Sequence, residues 1–340
     1  MDRIQKYIIN NLSVLFLSIF LPLFAIASVI FLIKLATYTA VIQLSVLEMA
    51  KLYIFILPEV LFFTLPISFF IAAALTLFRL STDNEIVVLF ALGIHPKVII
   101  KTLLKPALLL SILLIFDFFV VFPHTKTLSK NFISYKKSEA KFNLSASEFG
   151  HSFGDWLLYV GKNNSDDTFA DVFLFNKNQE NEEILIGAKK AQVINDSGIL
   201  RLKLTKGQGY SYSNKKFSQI DFKTMYINDT MNTNLKAYQN AIEYWKDDDI
   251  NHYKREKLIT YMLISIFPIL NLFLIASIGI VHIRHQKGKI YLFLFLGIVL
   301  YYGVALGLQK ALIFYTVPTV FVVWLASTYM LYRKTIVSRF

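Results

Sequence analysis

Six apolar blocks, each close to the length of a bilayer crossing, constrain this chain more than any other feature. They lie near 12–33, 52–78, 103–122, 258–281, 290–308 and 312–332. The hydrocarbon core of a bilayer takes roughly 20 helical residues, so each block reads as a transmembrane helix. Composition agrees: 55% of residues are hydrophobic and only 17% charged, where soluble domains run nearer about 25% charged. The first block imitates a secretory signal, with Arg3 and Lys6 ahead of it and Ala25 and Ala27 framing a cleavage-like site. It runs on to Ile33, too long for a signal's apolar core, and reads as an uncleaved span.

The net charge of +12 invites a nucleic-acid reading, but the basic residues flank apolar blocks, as they do at cytoplasmic membrane edges. With the N-terminus inside, one set of block ends holds Arg3, Lys6, Arg79, Lys97, Lys101, Lys105, Arg284, Lys287, Lys289, Arg333, Lys334 and Arg339. The opposite short loops hold only Lys34, Lys51 and Lys310. Both termini are therefore expected in the cytoplasm, and segment 123–257 outside. The expected layout is 1–122 with three spans, 123–257 as an external domain, and 258–340 with three spans. There is no cysteine, which excludes disulfides and thiolate metal sites.

The external segment changes period. In "GILRLKLTKG", Leu200, Leu202 and Leu204 alternate with Arg201, Lys203 and Thr205, the signature of a half-buried strand. A turn signal, "NDSG", precedes it, and further short strands follow the same rule. The expectation is an antiparallel β-sandwich or open roll, with little helix before 235–257. Its apolar face suits either an ordinary sandwich core or a groove for lipid chains. Two sequons, at Asn143 and Asn163, carry little weight alone.

Chemistry is scarce. No phosphate-binding G-x-x-x-x-G-K-[ST] loop, H-E-x-x-H or G-x-S-x-G occurs. His282 and His285 flank Arg284 at a span end and read as a basic membrane edge rather than a metal site. Glu59 and Asp117 fall near the outer ends of spans two and three. They are interfacial residues or, more sharply, part of a polar path. Asn271 in span four is neutral and gives no ion site for a secondary transporter.

Between spans two and three lies "RLSTDNEIVVLFALGIHP". Thr82-Asp83-Asn84-Glu85 fits a capping box with Thr82 at the N-cap and Glu85 third in the helix. Ile86, Leu89, Phe90 and Gly93 then share one face, Gly93 can close the helix, and Pro96 blocks its continuation. A cytoplasmic helix over about 82–93 follows. Resting on anionic headgroups suits it poorly, because its start is acidic (Asp83, Glu85) and it has no basic residue before Lys97. Docking into a protein groove suits it better.

Segment 57–94, with its proline-flanked span and "EIVVLFALGI" helix, resembles the LptF/LptG family of lipopolysaccharide export permeases, closer to the LptF branch. Pro318 and Trp324 in the last span fit the same pattern. The resemblance implies three spans, a periplasmic β-jellyroll and three further spans in the bacterial inner membrane. It implies a non-catalytic subunit with no cofactor of its own. Its partners would be a paralogous permease, a cytoplasmic ATPase dimer carrying ATP and Mg, and a single-span periplasmic bridge protein. The short helix would couple to the ATPase through Arg79, Thr82, Asp83, Glu85, Ile86, Leu89, Phe90 and Gly93. Spans one and five would form the lipid gate, with Lys34 and Lys310 meeting lipid phosphates. Leu200, Leu202 and Leu204 would contact acyl chains. A membrane-anchored envelope scaffold or sensor, and a secondary transporter, are the competing readings.

Overall fold

The computed structural model describes residues 2–39, 44–141, 149–153, 156–164, 168–177, 183–196, 199–213, 216–228, 241–246, 251–280, 289–312 and 315–338. The chain divides into two compact units. One comprises Met1–Lys34, Tyr53–Lys126 and Tyr238–Phe340; the other comprises Leu35–Leu52 and Thr127–Ala237.

The helical unit is built from the apolar blocks. They form α1 (Asp2–Thr39), α2 (Val46–Thr82), α4 (Lys97–Phe116), α7 (Asn251–Leu270), α8 (Leu272–Gly279), α9 (Ile290–Leu312) and α10 (Thr316–Tyr332), with the short α3 (Glu85–Ala91) between α2 and α4. Among the described residues, four helical runs are long and apolar enough to cross a membrane, and α7 with α8 makes a fifth if that pair is one span. The runs differ in exposure: 6% of the apolar window of α1 is buried within the chain, against 67% for α2. So α2 is the centre of the packing and α1 its periphery. Phe70, Ala72, Ala73, Ala74 and Leu77 of α2 pack with Phe267, Ile275, Ala276 and Tyr301 in one apolar core. Several buried hydroxyls are satisfied locally: Thr64, Ser68, Thr76, Thr102 and Ser265 each donate to the carbonyl four residues back.

Span four was expected to be continuous and is not. It bends by 46° between α7 and α8, at Asn271. Pro268 cannot donate to the carbonyl one turn back, which weakens the helix just before the bend. Span three departs in the other direction. Helix α4 runs through a π-helical turn (Asp117–Val121) into α5 (Phe122–Lys141), so the expected boundary at 122/123 falls inside continuous helix. Pro123 has no N–H for the Phe119 carbonyl. That carbonyl instead accepts a hydrogen bond from the Trp245 indole at 3.3 Å. Helix α5 was not expected, nor the division of the 235–257 segment into α6 (Ala241–Lys246) and the start of α7.

In the second unit six strands, β1 (Phe149–Phe153), β2 (Trp156–Asn164), β3 (Thr168–Lys177), β4 (Glu183–Asp196), β5 (Ile199–Ser213) and β6 (Lys216–Asn228), form one antiparallel sheet in chain order. Of the two expected architectures this is the open roll, a jellyroll-like domain. One face is closed over Leu158, Val160, Val172, Leu174, Ile186, Leu202 and Leu204. A crease crosses the sheet. The aligned row Gly161, Asp171, Lys189, Lys206 and Lys223 drops out of the pairing on β2 to β6, while the register on both sides is unchanged. Asp171 (φ 56°) and Lys206 (φ 55°) are left-handed there. Across the row the buried positions switch parity, from Val172 and Ala188 to Phe169 and Ala191, so the sheet turns as a bulged strand does. Gly207 lies beside the crease, where a Cβ would collide with the Gly187 carbonyl oxygen and the Phe222 ring.

Candidate coupling helix and lipid-facing surfaces

Helix α3 is shorter than expected and starts differently. Thr82 is not its N-cap: α2 continues through Thr82, whose hydroxyl donates to the Arg79 carbonyl at 2.9 Å. The chain reverses at Asn84, left-handed at φ 64°, and Glu85 becomes the first helical residue rather than the third. Asparagine tolerates that conformation where β-branched residues do not. The other end closes as expected. Gly93 is left-handed at φ 81°, with Ile94 N–H donating to the Leu89 carbonyl and Gly93 N–H to that of Phe90, a Schellman arrangement.

Of the expected docking face, Ile86 is fully buried in the chain's own core and so not available to a partner. Phe90 packs against that core while half-buried, Leu89 is half-buried, and Gly93 is exposed. Seven residues need an anchor, and the larger apolar groups supply it. The apolar side chains left outside are Val88 at 54% and Leu92 at 73% exposed, one turn apart. Arg79 and Asp83 form an exposed pair at 3.9 Å at the end of α2. The Glu85 carboxylate accepts a hydrogen bond from the Tyr7 hydroxyl at 3.0 Å, and Lys105 donates to the Gln5 amide oxygen at 3.4 Å. The start of α1 is thereby joined to both α3 and α4. Sequence reading missed Tyr7, because nothing in the sequence pairs residues 78 positions apart.

The remaining expected positions scatter. Lys34 is exposed near the end of α1. Lys310 lies in α9, but its side chain is outside the described residues, as are that of Leu200, the residues His282 and His285, and the sequon at Asn143. Leu202 and Leu204 are both 0% exposed, so an acyl chain could reach them only if the sheet core opened. Glu59 pairs with Lys126 at 3.7 Å. Asn271, set aside at the sequence level, sits at the bend of span four. Its amide donates to the Phe267 carbonyl at 2.9 Å and its oxygen accepts from the Trp324 indole at 3.1 Å. Beside it an apolar cleft of about 460 Å³ opens between α8, α9 and α10, lined by Leu274, Phe293, Gly297, Leu300 and Trp324.

Apolar helices packed on a central α2, a two-turn helix between two of them and an inserted β sheet make this a multi-pass membrane protein. The family model for the lipopolysaccharide export system permease LptF/LptG matches residues 6–332, nearly the whole chain. The chain belongs to the LptF/LptG family of lipopolysaccharide export permeases and is an inner-membrane protein. No curated protein matches it.

Proposed function

We propose that the chain is one of two permease subunits of an ATP-driven exporter that extracts lipopolysaccharide from the inner membrane. In this reading it makes three spans, a periplasmic β domain and three further spans, counting α7 with α8 as one and α10 as the sixth. Both termini and α3 lie in the cytoplasm. A paralogous permease completes the transmembrane pair. ATP and Mg belong to a cytoplasmic ATPase dimer. Spans α1 and α9 line the lipid gate, and the β domain hands lipid to a periplasmic bridge protein. The single observation that carries the proposal is α3: its inner face is locked into the chain's core while Val88 and Leu92 stay outside, the form of a helix made to be gripped.

The test replaces both exposed residues, Val88→Asp with Leu92→Asp, in the assembled complex. Neither side chain is buried, so insertion and folding should survive. Co-purification of the ATPase should fall at least about tenfold, as expected for charges placed in an apolar groove. Undiminished association with normal lipid release would remove the coupling role from α3.

A further inference from the structure

The exposed side of the β sheet holds a cleft of about 550 Å³. Phe173, Leu185 and Tyr210 line it together with Lys189, Lys206 and Lys223 from the crease. Phe173 and Leu185 are 47% and 43% exposed, so apolar surface is on offer, on the face opposite the closed core of Leu202 and Leu204. The three lysines occupy one row of three adjacent strands. Lys189 faces Lys206 between the pairs Ala188–Gly207 and Lys190–Thr205. Lys206 faces Lys223 between Thr205–Thr224 and Gly207–Phe222. Like charges directly opposite one another destabilise a sheet. The acidic residues lining the cleft are Asp171 and Asp221, and among the described residues neither forms a salt bridge with the lysines. Two of the lining residues, Asp171 and Lys206, are held in the left-handed conformation, a strain that the surrounding sheet must maintain.

Three lysines against two carboxylates, with no direct ion pair between them among the described residues, leave positive charge in excess beside an apolar floor, which suits an amphiphile with an anionic head. A compact ammonium is a good partner for phosphate, and an apolar floor gives a bare anion nothing. We propose that the crease binds a phosphorylated lipid, with the phosphate over Lys189, Lys206 and Lys223 and the adjoining chain on Phe173, Leu185 and Tyr210. This deepens the export reading by naming a lipid subsite on the β domain, and it requires neither ATP nor a partner chain.

The full chain is reconstituted in phosphatidylcholine nanodiscs and labelled with diazirine-tailed phosphatidic acid, or with the same tail on phosphatidylcholine. Crosslinked peptides are mapped by mass spectrometry. The anionic probe should label peptides carrying Phe173, Leu185 or Tyr210 at least about tenfold more than the zwitterionic one, given three basic contacts. The triple variant Lys189→Gln, Lys206→Gln, Lys223→Gln should lose that excess while the zwitterionic probe labels the same β-sheet peptides, and both probes label α1 and α9, as before, which shows that both units remain intact. Dodecyl phosphate should compete, and inorganic phosphate at equal concentration should not. Equal labelling by both probes, unchanged labelling of the triple variant, or competition by inorganic phosphate would each overturn the proposal. Because the assay contains no ATPase, loss of the export reading would leave its outcome unaltered.

Discussion

Trp324→Phe should destabilise the protein more than Asn271→Leu, although both remove the same hydrogen bond. The difference lies in what each leaves behind. Asn271 is fully buried, so Trp324→Phe strands its side-chain oxygen without a donor, a loss of about 1–3 kcal/mol. Asn271→Leu strands an indole N–H on a half-buried ring beside an open cleft. It also leaves the Phe267 carbonyl paired with the main-chain N–H of residue 271. That change should cost about 1 kcal/mol or less, within the range for hydrogen bonds between membrane helices. Phenylalanine keeps an aromatic ring near Tyr301, whose ring centre lies 5.1 Å from that of Trp324, but it is smaller than indole, so the double variant, which shares that packing loss, isolates the bond. The double variant has no stranded group and should be more stable than Trp324→Phe alone. The assay is the thermal midpoint of the purified protein in detergent for all four members of the cycle. Additive losses, with the double variant the least stable, would refute the idea that the two side chains form a coupled pair.

Other outcomes follow from the packing and the loops. A Cβ on Gly279 would lie 2.6 Å from the Leu77 Cβ and 2.8 Å from the Ala74 carbonyl oxygen. Gly279→Ala should therefore push α8 from α2 and cost about 1–3 kcal/mol, whereas Gly303→Ala, with nothing within 4 Å, should leave the midpoint unchanged. Tyr7→Phe releases the Glu85 carboxylate, and Glu85→Gln removes its charge. If Glu85 meets a basic group on the ATPase, the first should strengthen association by about 2–10-fold, on the worth of one hydrogen bond, and the second should weaken it. Equal affinities in a pull-down titration would exclude that pairing. A cysteine placed at Ser213, in β5, should react with an impermeant reagent in intact inner membranes exposed on their periplasmic side. Reaction only after the membrane is broken would reverse the assigned orientation.

Much of the helical unit was legible because hydropathy runs and their flanking charges are written in the chain locally. The same holds for β5, where alternation put Leu202 and Leu204 on the inward face. What escaped depends on competition between neighbouring signals or on distant partners. Two capping-box strings lie next to helices α2 and α3, "SVLE" at 45–48 and "TDNE" at 82–85. The first forms: Ser45 N–H donates to the Glu48 carboxylate at 2.9 Å and Glu48 N–H to the Ser45 hydroxyl at 3.4 Å. The second does not, because α2 already occupies Thr82. Helix α5 has a mixed polar composition that no period singles out, and the indole that meets the Phe119 carbonyl just before it, that of Trp245, lies 126 residues away. The apolar period of α3 was legible, but not which side of it the rest of the chain would claim. The crease is a property of strand pairing, and no single strand declares it.

The two left-handed residues that bracket α3, Asn84 and Gly93, turn the segment between them into an interchangeable cassette. Its placement is set by the joints and by Ile86, while the outward positions carry no duty to the fold. Under the proposed coupling role, a designer could rewrite Val88, Ala91 and Leu92 to fit a different motor while leaving the six apolar blocks untouched. In that role the mechanical linkage and the choice of engine are separable.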